Sequence, residues 1–177
     1  MSDLVKNIFR LTIFILVQVF VLNKIPHLHQ FVVPYLYYLF ILWLPFTMHR
    51  MALLGVGFLT GLLLDYFMMT PGLHTAACVL IAYVRPFLIN LMIVKDTSEL
   101  TYHEPSPRGM GWGPYFIYVF ILTLLHHVYL VFLQWLDFGS FLMFLIKVSA
   151  TTGISMLLIL TVELLFPRRL KYRTNTA

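Results

Sequence analysis

The sequence predicts an all-α, polytopic membrane protein with six transmembrane helices in a single membrane domain that covers residues 1–177. Hydrophobic residues make up 60% of the chain and charged residues only 11%, and the mean hydropathy is +0.88. A soluble domain of this length could not bury so much apolar surface. A helix that crosses a hydrocarbon core of about 30 Å needs about 20 apolar residues. Spans are therefore predicted at about residues 4–22, 31–46, 51–69, 73–94, 115–136 and 141–166.

The first apolar stretch begins like a secretory signal, because Lys6 and Arg10 precede most of its apolar run. Residues 23–26, however, do not form the small-residue site at which such signals are cut. We expect the first helix to be retained as an anchor.

The second stretch is the shortest and is bracketed by Pro34 and Pro45. Its length predicts either a span with little tilt or a segment that lies partly in the membrane interface. Its aromatic side chains are expected to anchor it at the interface and to contact lipid. These residues are Tyr35, Tyr37, Tyr38 and Trp43.

The distribution of Lys and Arg predicts that both termini are cytoplasmic. With that orientation, nine of the twelve basic residues lie on the inner side, one (Lys24) lies outside, and Arg85 and Lys147 lie within spans. Basic residues concentrate in this way on the cytoplasmic side of membrane proteins. Membrane orientation thus explains the net charge of +5 better than nucleic-acid binding. The nine inner residues are Lys6, Arg10, Arg50, Lys95, Arg108, Arg168, Arg169, Lys171 and Arg173.

Ionisable residues inside the spans are candidates for pairing, because a charge in hydrocarbon costs about 2.5–3.5 kcal/mol. Asp65 and Lys147 have similar predicted depths, which predicts a pair between the third and sixth helices. The alternative is that Lys147 reaches the interface alone and Asp65 reaches headgroup water. Arg85 precedes Pro86, where we expect a kink and a freed carbonyl. Glu163 is the expected partner of Arg85, in a structural role rather than in transport.

His126 and His127 lie near the middle of the fifth predicted helix. Adjacent helix positions point about 100° apart, so both imidazoles cannot face one ion well. No HExxH motif, paired-Asp motif or Gly-flanked catalytic Ser accompanies them. We expect one histidine to hydrogen-bond a neighbouring helix, and we predict no catalytic, cofactor or metal residues and no enzymatic activity.

The third helix carries a GxxxG step at Gly57 and Gly61, and Asp65 continues the same face four residues later. Small residues let two membrane helices approach closely. The pattern therefore predicts a packing seam, formed either within this protein or with a partner helix.

A longer motif includes this seam and the turn that follows it: Gly57-x3-Gly61-x3-Asp65, then Pro71-Gly72-Leu73-His74. In a six-helix chain of this length with a cytoplasmic N-terminus, the motif resembles the MreD family of bacterial rod-shape-determining membrane proteins. The resemblance covers the whole chain in length and helix count, but the motif spans only 57–74. The acidic and Pro-rich loop 96–107 is not part of the family pattern, and the role of the 95–114 connection is left open.

The resemblance implies a scaffold subunit of the cell-wall elongation complex in the bacterial inner membrane, which helps to maintain cell shape. The implied partners are MreC and, through it, MreB, RodA and a class B penicillin-binding protein, together with membrane lipid. The family also resembles the substrate-binding subunits of vitamin transporters, which supplies the main alternative. Such a subunit needs a polar and aromatic pocket that opens to the outside, and the predicted outer connections at 69–72 and 137–140 are too short to cover one.

Overall fold

A computed structural model of the protein describes residues 3–24, 33–92, 104–134, 140–166 and 168. Within these ranges the chain forms helices and no strand, which confirms the all-α class. Outside the described residues lie residues 95–103 of the 95–114 connection, residues 137–139 of the predicted outer connection and four of the basic residues used for topology. Those four are Lys95, Arg169, Lys171 and Arg173.

Seven helices are present in the described ranges. They are α1 (Asp3–Leu16, continued by a π-helical turn at Val17–Val21 and a 3₁₀ turn at Leu22–Lys24), α2 (Leu39–Leu42), α3 (Arg50–Met68), α4 (Leu73–Met92), α5 (Pro107–Met110), α6 (Trp112–Gln134) and α7 (Phe141–Leu165). By length and composition, five of them could cross a membrane: α1 with its continuation, α3, α4, α6 and α7. These five coincide with five of the six predicted spans.

The second predicted span, 31–46, is not a long helix. Residues 33–49, called the central segment below, contain the four-residue helix α2 and are otherwise irregular. Pro34 and Pro45 flank the helical part, and proline both removes a backbone donor and restricts the residue before it. The prediction of a continuous helix here is therefore wrong.

The central segment lies inside the helix bundle rather than at the membrane interface. All side chains from Tyr35 to Leu44 are buried, and six of them are completely inaccessible or nearly so. Irregular backbone at membrane depth is tolerated only where protein or water surrounds it. The expected interfacial and lipid-facing role of the aromatic residues is thus also wrong. This correction applies to Tyr35, Tyr37, Tyr38 and Trp43.

The long helices pack in sequence around this segment, α3 on α4, α4 on α6, and α6 on α7, while α1 contacts both α3 and α2. Arg10, in the first half of α1, forms a 3.1 Å ion pair with Glu104, which lies shortly before α5 and α6. At the start of α3, the Arg50 guanidinium lies 5.4 Å from the ring centre of Phe87, near the end of α4. The starts of α1, α3 and α6 therefore share one end of the bundle, called the basic end below.

Candidate functional site

The glycines of α3 form a close contact with α4. A Cβ atom on Gly57 would lie 2.9 Å from Ala82 Cβ. One on Gly61 would overlap Thr75 Cα and lie 2.8 Å from the His74 carbonyl oxygen. These distances are too short for any side chain larger than hydrogen. In this structure Gly57 and Gly61 pack against α4. Of the two alternatives, a seam within the protein or with a partner helix, the geometry is that of a seam within the protein.

Asp65 fastens the same two helices at the turn that joins them. Its Oδ1 accepts hydrogen bonds from the His74 backbone N–H (2.9 Å) and the Thr70 hydroxyl (3.1 Å). Its Oδ2 accepts from the Thr75 backbone N–H (2.9 Å) and hydroxyl (2.6 Å). The carboxylate thus satisfies N–H groups in the first turn of α4, where a negative charge also complements the helix dipole. Gly57, Gly61 and Asp65, with the α4 residues they contact, are called the hairpin lock below.

The predicted Asp65–Lys147 pair does not form. The Lys147 ammonium donates a 2.7 Å hydrogen bond to Gln134 Oε1, which joins the start of α7 to the end of α6. Similar depth in the membrane did not bring the two charges together, because Asp65 has its partners within its own hairpin.

A cluster of imidazoles and phenols occupies the half of the core away from the basic end. The Tyr37 hydroxyl joins His74 Nδ1 (3.0 Å) on α4 to His126 Nε2 (2.8 Å) on α6. The ring of Tyr38 stacks on His126, with 4.3 Å between ring centres. Tyr35 packs edge-on against His74, at 5.6 Å. Together with His127, these residues are called the histidine cluster below.

His127 faces α7, where its two ring nitrogens contact the hydroxyls of Thr152 (3.3 Å) and Ser155 (3.4 Å). This contact confirms that one of the two adjacent histidines bonds a neighbouring helix. The Ser155 hydroxyl also accepts a 3.0 Å hydrogen bond from the Tyr35 backbone N–H. The pair His127 and Ser155 therefore links α6, α7 and the central segment.

Gln18 holds the beginning of the central segment. Its side-chain amide donates to the Pro34 carbonyl (3.0 Å) and its Oε1 accepts from the Leu36 backbone N–H (2.8 Å). Gln18 is completely buried and lies in the π-helical turn that continues α1. Such single-turn π distortions occur frequently at functional positions. Here the turn accompanies an amide side chain that replaces two backbone partners which the irregular segment lacks.

Arg85 and Tyr118 hold the C-terminal end of α2 and the residues just after it. The Arg85 guanidinium donates to the Leu44 carbonyl through Nη2 and to the Tyr118 hydroxyl through Nε (3.0 Å). The Tyr118 hydroxyl in turn donates to the Leu42 carbonyl (2.9 Å). The Leu42 carbonyl is one that a helix end leaves without an intrahelical partner, and the Leu44 carbonyl lies two residues beyond α2. The predicted pair between Arg85 and Glu163 is wrong, since the guanidinium caps backbone instead.

Glu163 has three donors at the basic end. Its Oε1 accepts from Trp43 Nε1 (2.8 Å), from the Tyr115 hydroxyl and from Arg168 Nη2 (2.8 Å). The Arg168 guanidinium also lies 4.1 Å from the ring centre of Trp43, and a desolvated cation–π contact of this kind is worth up to about 2 kcal/mol. In the sequence, Arg168 was considered only as one of the basic residues that indicate topology. In the structure it is the cation that neutralises Glu163.

No family model, curated protein or solved structure matches this chain.

The arrangement of these groups is suited to holding an irregular segment inside a membrane protein. Three of the supporting residues, Gln18, Tyr118 and Ser155, were not identified from the sequence. Gln18 carried a usable signal, because a polar amide within an apolar span is expected to have an internal partner. Within the described ranges, no three His, Cys, Asp or Glu residues are grouped so that they could hold a metal ion.

Proposed function

We propose that this chain is a non-enzymatic scaffold subunit of the bacterial cell-wall elongation complex, similar to MreD, in the inner membrane with both termini cytoplasmic. Its partners are MreC and, through MreC, MreB, RodA and a class B penicillin-binding protein. The observation that carries the proposal is the hairpin lock. The motif residues between Gly57 and His74 act together as one structural unit, as residues that define a shared fold are expected to do.

The polar groups of the core also support a structural role. The Asp65 carboxylate, the Arg85 guanidinium and the Glu163 carboxylate each bond groups within the protein that fix backbone or neutralise charge. Buried ionisable groups in membranes commonly mark transport or proton pathways. Here Arg85 and Glu163 hold the central segment, and Asp65 holds the turn between α3 and α4. A scaffold requires this kind of rigidity.

A vitamin-type substrate-binding subunit is the second candidate, and the histidine cluster is the observation that favours it. The cluster is polar and aromatic and lies in the half of the bundle that faces outward in the proposed orientation. Its side chains, however, pack and hydrogen-bond against one another, and Tyr37, His126 and His127 are completely buried. A ligand would have to displace them, so we favour the scaffold.

Co-purification from native membranes tests the proposal. The chain is expressed at its native level with an affinity tag at Ala177, extracted in mild detergent and purified, and the accompanying proteins are identified by mass spectrometry. A Gly55→Leu variant is purified beside the wild-type chain as a control for substitution on α3, since no atom lies within 4 Å of a Cβ added at Gly55. We expect the wild-type chain and this variant to recover MreC together with other wall-elongation proteins. We also expect depletion of the chain to make rod-shaped cells round.

Recovery of an energising ATPase in place of MreC would favour the transporter. Recovery of neither class, from cells whose shape does not change on depletion, would contradict the scaffold function.

A further inference from the structure

A cavity of about 260 Å³ lies at the basic end of the bundle, where α5, the start of α6 and the end of α7 meet. The residues that line it are Ser106, Pro107, Arg108, Trp112, Glu163, Leu164 and Arg168. A single water molecule needs only about 10–15 Å³ of such space. The cavity therefore has room for a chemical group much larger than a water.

Arg168 brings unused hydrogen-bond donors to this cavity. Its Nη2 is bonded to Glu163 Oε1 (2.8 Å) and to the Tyr115 hydroxyl (3.3 Å). In the part of the chain that the structure describes, its Nε and Nη1 are buried and have no partner, and only 10% of the side chain is exposed. Leaving a buried donor unsatisfied costs about 1–3 kcal/mol, and more when the group is charged. Both nitrogens are inaccessible in this conformation, so an acceptor in the cavity bonds them only when the guanidinium turns, and it then removes this cost.

The local charge favours an anionic acceptor. The Glu163 carboxylate, which also lines the cavity, is neutralised by Arg168 and accepts from Trp43 and Tyr115. The exposed Arg108, also in the lining, then adds a positive charge. The N-terminus of α6 at Trp112 adds the positive end of a 23-residue helix. A guanidinium with free donors matches the geometry of a phosphate group.

Two apolar side chains of the lining, Trp112 and Leu164, are exposed and are called the apolar rim below. Trp112 is 51% exposed and Leu164 is 66% exposed, so a hydrocarbon chain could lie against them. We propose that this cavity binds a phosphate group, and the apolar rim favours an anionic phospholipid over a soluble phosphate compound as its source. Basic pockets between membrane helices bind lipid headgroups in this way.

The test uses the full-length protein, delipidated in a neutral detergent. It is titrated separately with phosphatidylglycerol, with zwitterionic phosphatidylcholine and with inorganic phosphate. Bound lipid is counted by native mass spectrometry, and the thermal unfolding midpoint is recorded at each concentration. We expect phosphatidylglycerol to bind and raise the midpoint, and phosphatidylcholine to have little effect.

Two variants and one control locate the site. Arg108→Gln removes an exposed charge and should weaken phosphatidylglycerol binding about fivefold. Arg168→Lys keeps a cation beside Glu163, which protects folding, but loses the planar set of donors, and should weaken binding at least as much. Arg50→Gln removes a charge at the same end of the bundle, over Phe87 and outside the cavity lining, and should leave binding unchanged.

If inorganic phosphate competes with the lipid and stabilises the protein alone, the site takes a soluble phosphate compound. Three results would overturn the proposal: no preference for phosphatidylglycerol over phosphatidylcholine, an equal loss in Arg50→Gln, or unchanged binding in both cavity variants. Co-purification of wall-elongation proteins does not depend on any of these results, so the cavity and the scaffold function can fail separately.

Discussion

Asp65 accepts four hydrogen bonds from the turn and the first residues of α4, and this explains why it has no need of Lys147. Two backbone N–H groups and two hydroxyls replace the hydration shell that a carboxylate loses in a membrane. The prediction of a pair relied on equal depth alone. Depth along a helix axis does not specify which side of the helix a residue faces, and Asp65 faces α4.

We expect Asp65→Ala to destabilise the protein by about 1–3 kcal/mol, because it leaves buried donors of α4 unsatisfied. Lys147→Met should cost much less, since it removes one partly buried hydrogen bond. The free energies of unfolding of the two single variants and the double variant are measured by denaturant titration in detergent micelles. If the two residues do not interact, the effects add. A coupling free energy well above about 0.5 kcal/mol would mean that the two side chains meet.

Tyr37 provides a second prediction at the residue scale. Tyr37→Phe keeps the ring but removes the hydroxyl that joins His74 and His126, so two buried imidazole nitrogens lose a partner. We expect a loss of about 1–3 kcal/mol in the free energy of unfolding. Tyr66→Phe is the control, because Tyr66 is 73% exposed and should change stability by less than about 0.5 kcal/mol. Equal stability of both variants would show that the Tyr37 bridge contributes nothing.

At the scale of elements, α3 and α4 depend on the absence of side chains at two positions. Gly57→Leu and Gly61→Leu should each abolish folded protein, since the new side chain would overlap α4, and close packing provides much of the attraction between helices in lipid. Gly55→Leu, at an open position, should accumulate normally. The measurement is the yield of monodisperse protein after detergent extraction. Normal yield from Gly61→Leu would contradict the described seam.

The long helices could be predicted from sequence because each is apolar over a length that fits the bilayer. The GxxxG seam could be predicted for a similar reason, since its spacing is local. The irregular, buried structure of the central segment could not be predicted from the sequence. Its apolar residues fit a buried helix and an irregular core segment equally well, and its support comes from remote groups such as Ser155, which lies 120 residues from its partner Tyr35. Gln18 and Arg85 are likewise distant in sequence from the backbone that they bond.

Thiol labelling tests the burial of the central segment. Ile41→Cys should not react with N-ethylmaleimide in intact membranes, because Ile41 is inaccessible, whereas Thr47→Cys, at an exposed position of the same segment, should react. The native Cys78 is buried and should give little background. Adding Gln18→Leu to Ile41→Cys should make the thiol reactive, since it removes the bonds to Pro34 and Leu36. Labelling of Ile41→Cys without that change would place the segment outside the bundle.

At the scale of the whole molecule, the proposed topology, with both termini on one side, depends on the central segment. The five long helices alone would make an odd number of crossings and would place the termini on opposite sides. The starts of α1 and α3 nevertheless share the basic end, so the chain returns between residues 24 and 50. The central segment supplies at least part of this return, because it extends from the level of His74 to that of Arg85, about 16 Å along α4.

The basic end carries Arg10, Arg50, Arg108 and Arg168, which predicts that it faces the cytoplasm. We therefore expect reporters fused at Ala177 and inserted near Ser106 to be cytoplasmic, and one inserted at Pro71 to be external. Paired reporters, one active only in the cytoplasm and one only outside, measure the side at each position. A reporter near Lys24 should be external, because Lys24 lies after the crossing by α1 and before the central segment returns the chain. This reporter therefore tests the first crossing independently of the second. An external Ala177 with a cytoplasmic Pro71 and an external Lys24 would mean that the central segment does not complete a crossing. The same result with a cytoplasmic Lys24 would mean that the whole bundle is inverted. In both cases the cavity at Arg168 faces the outer leaflet.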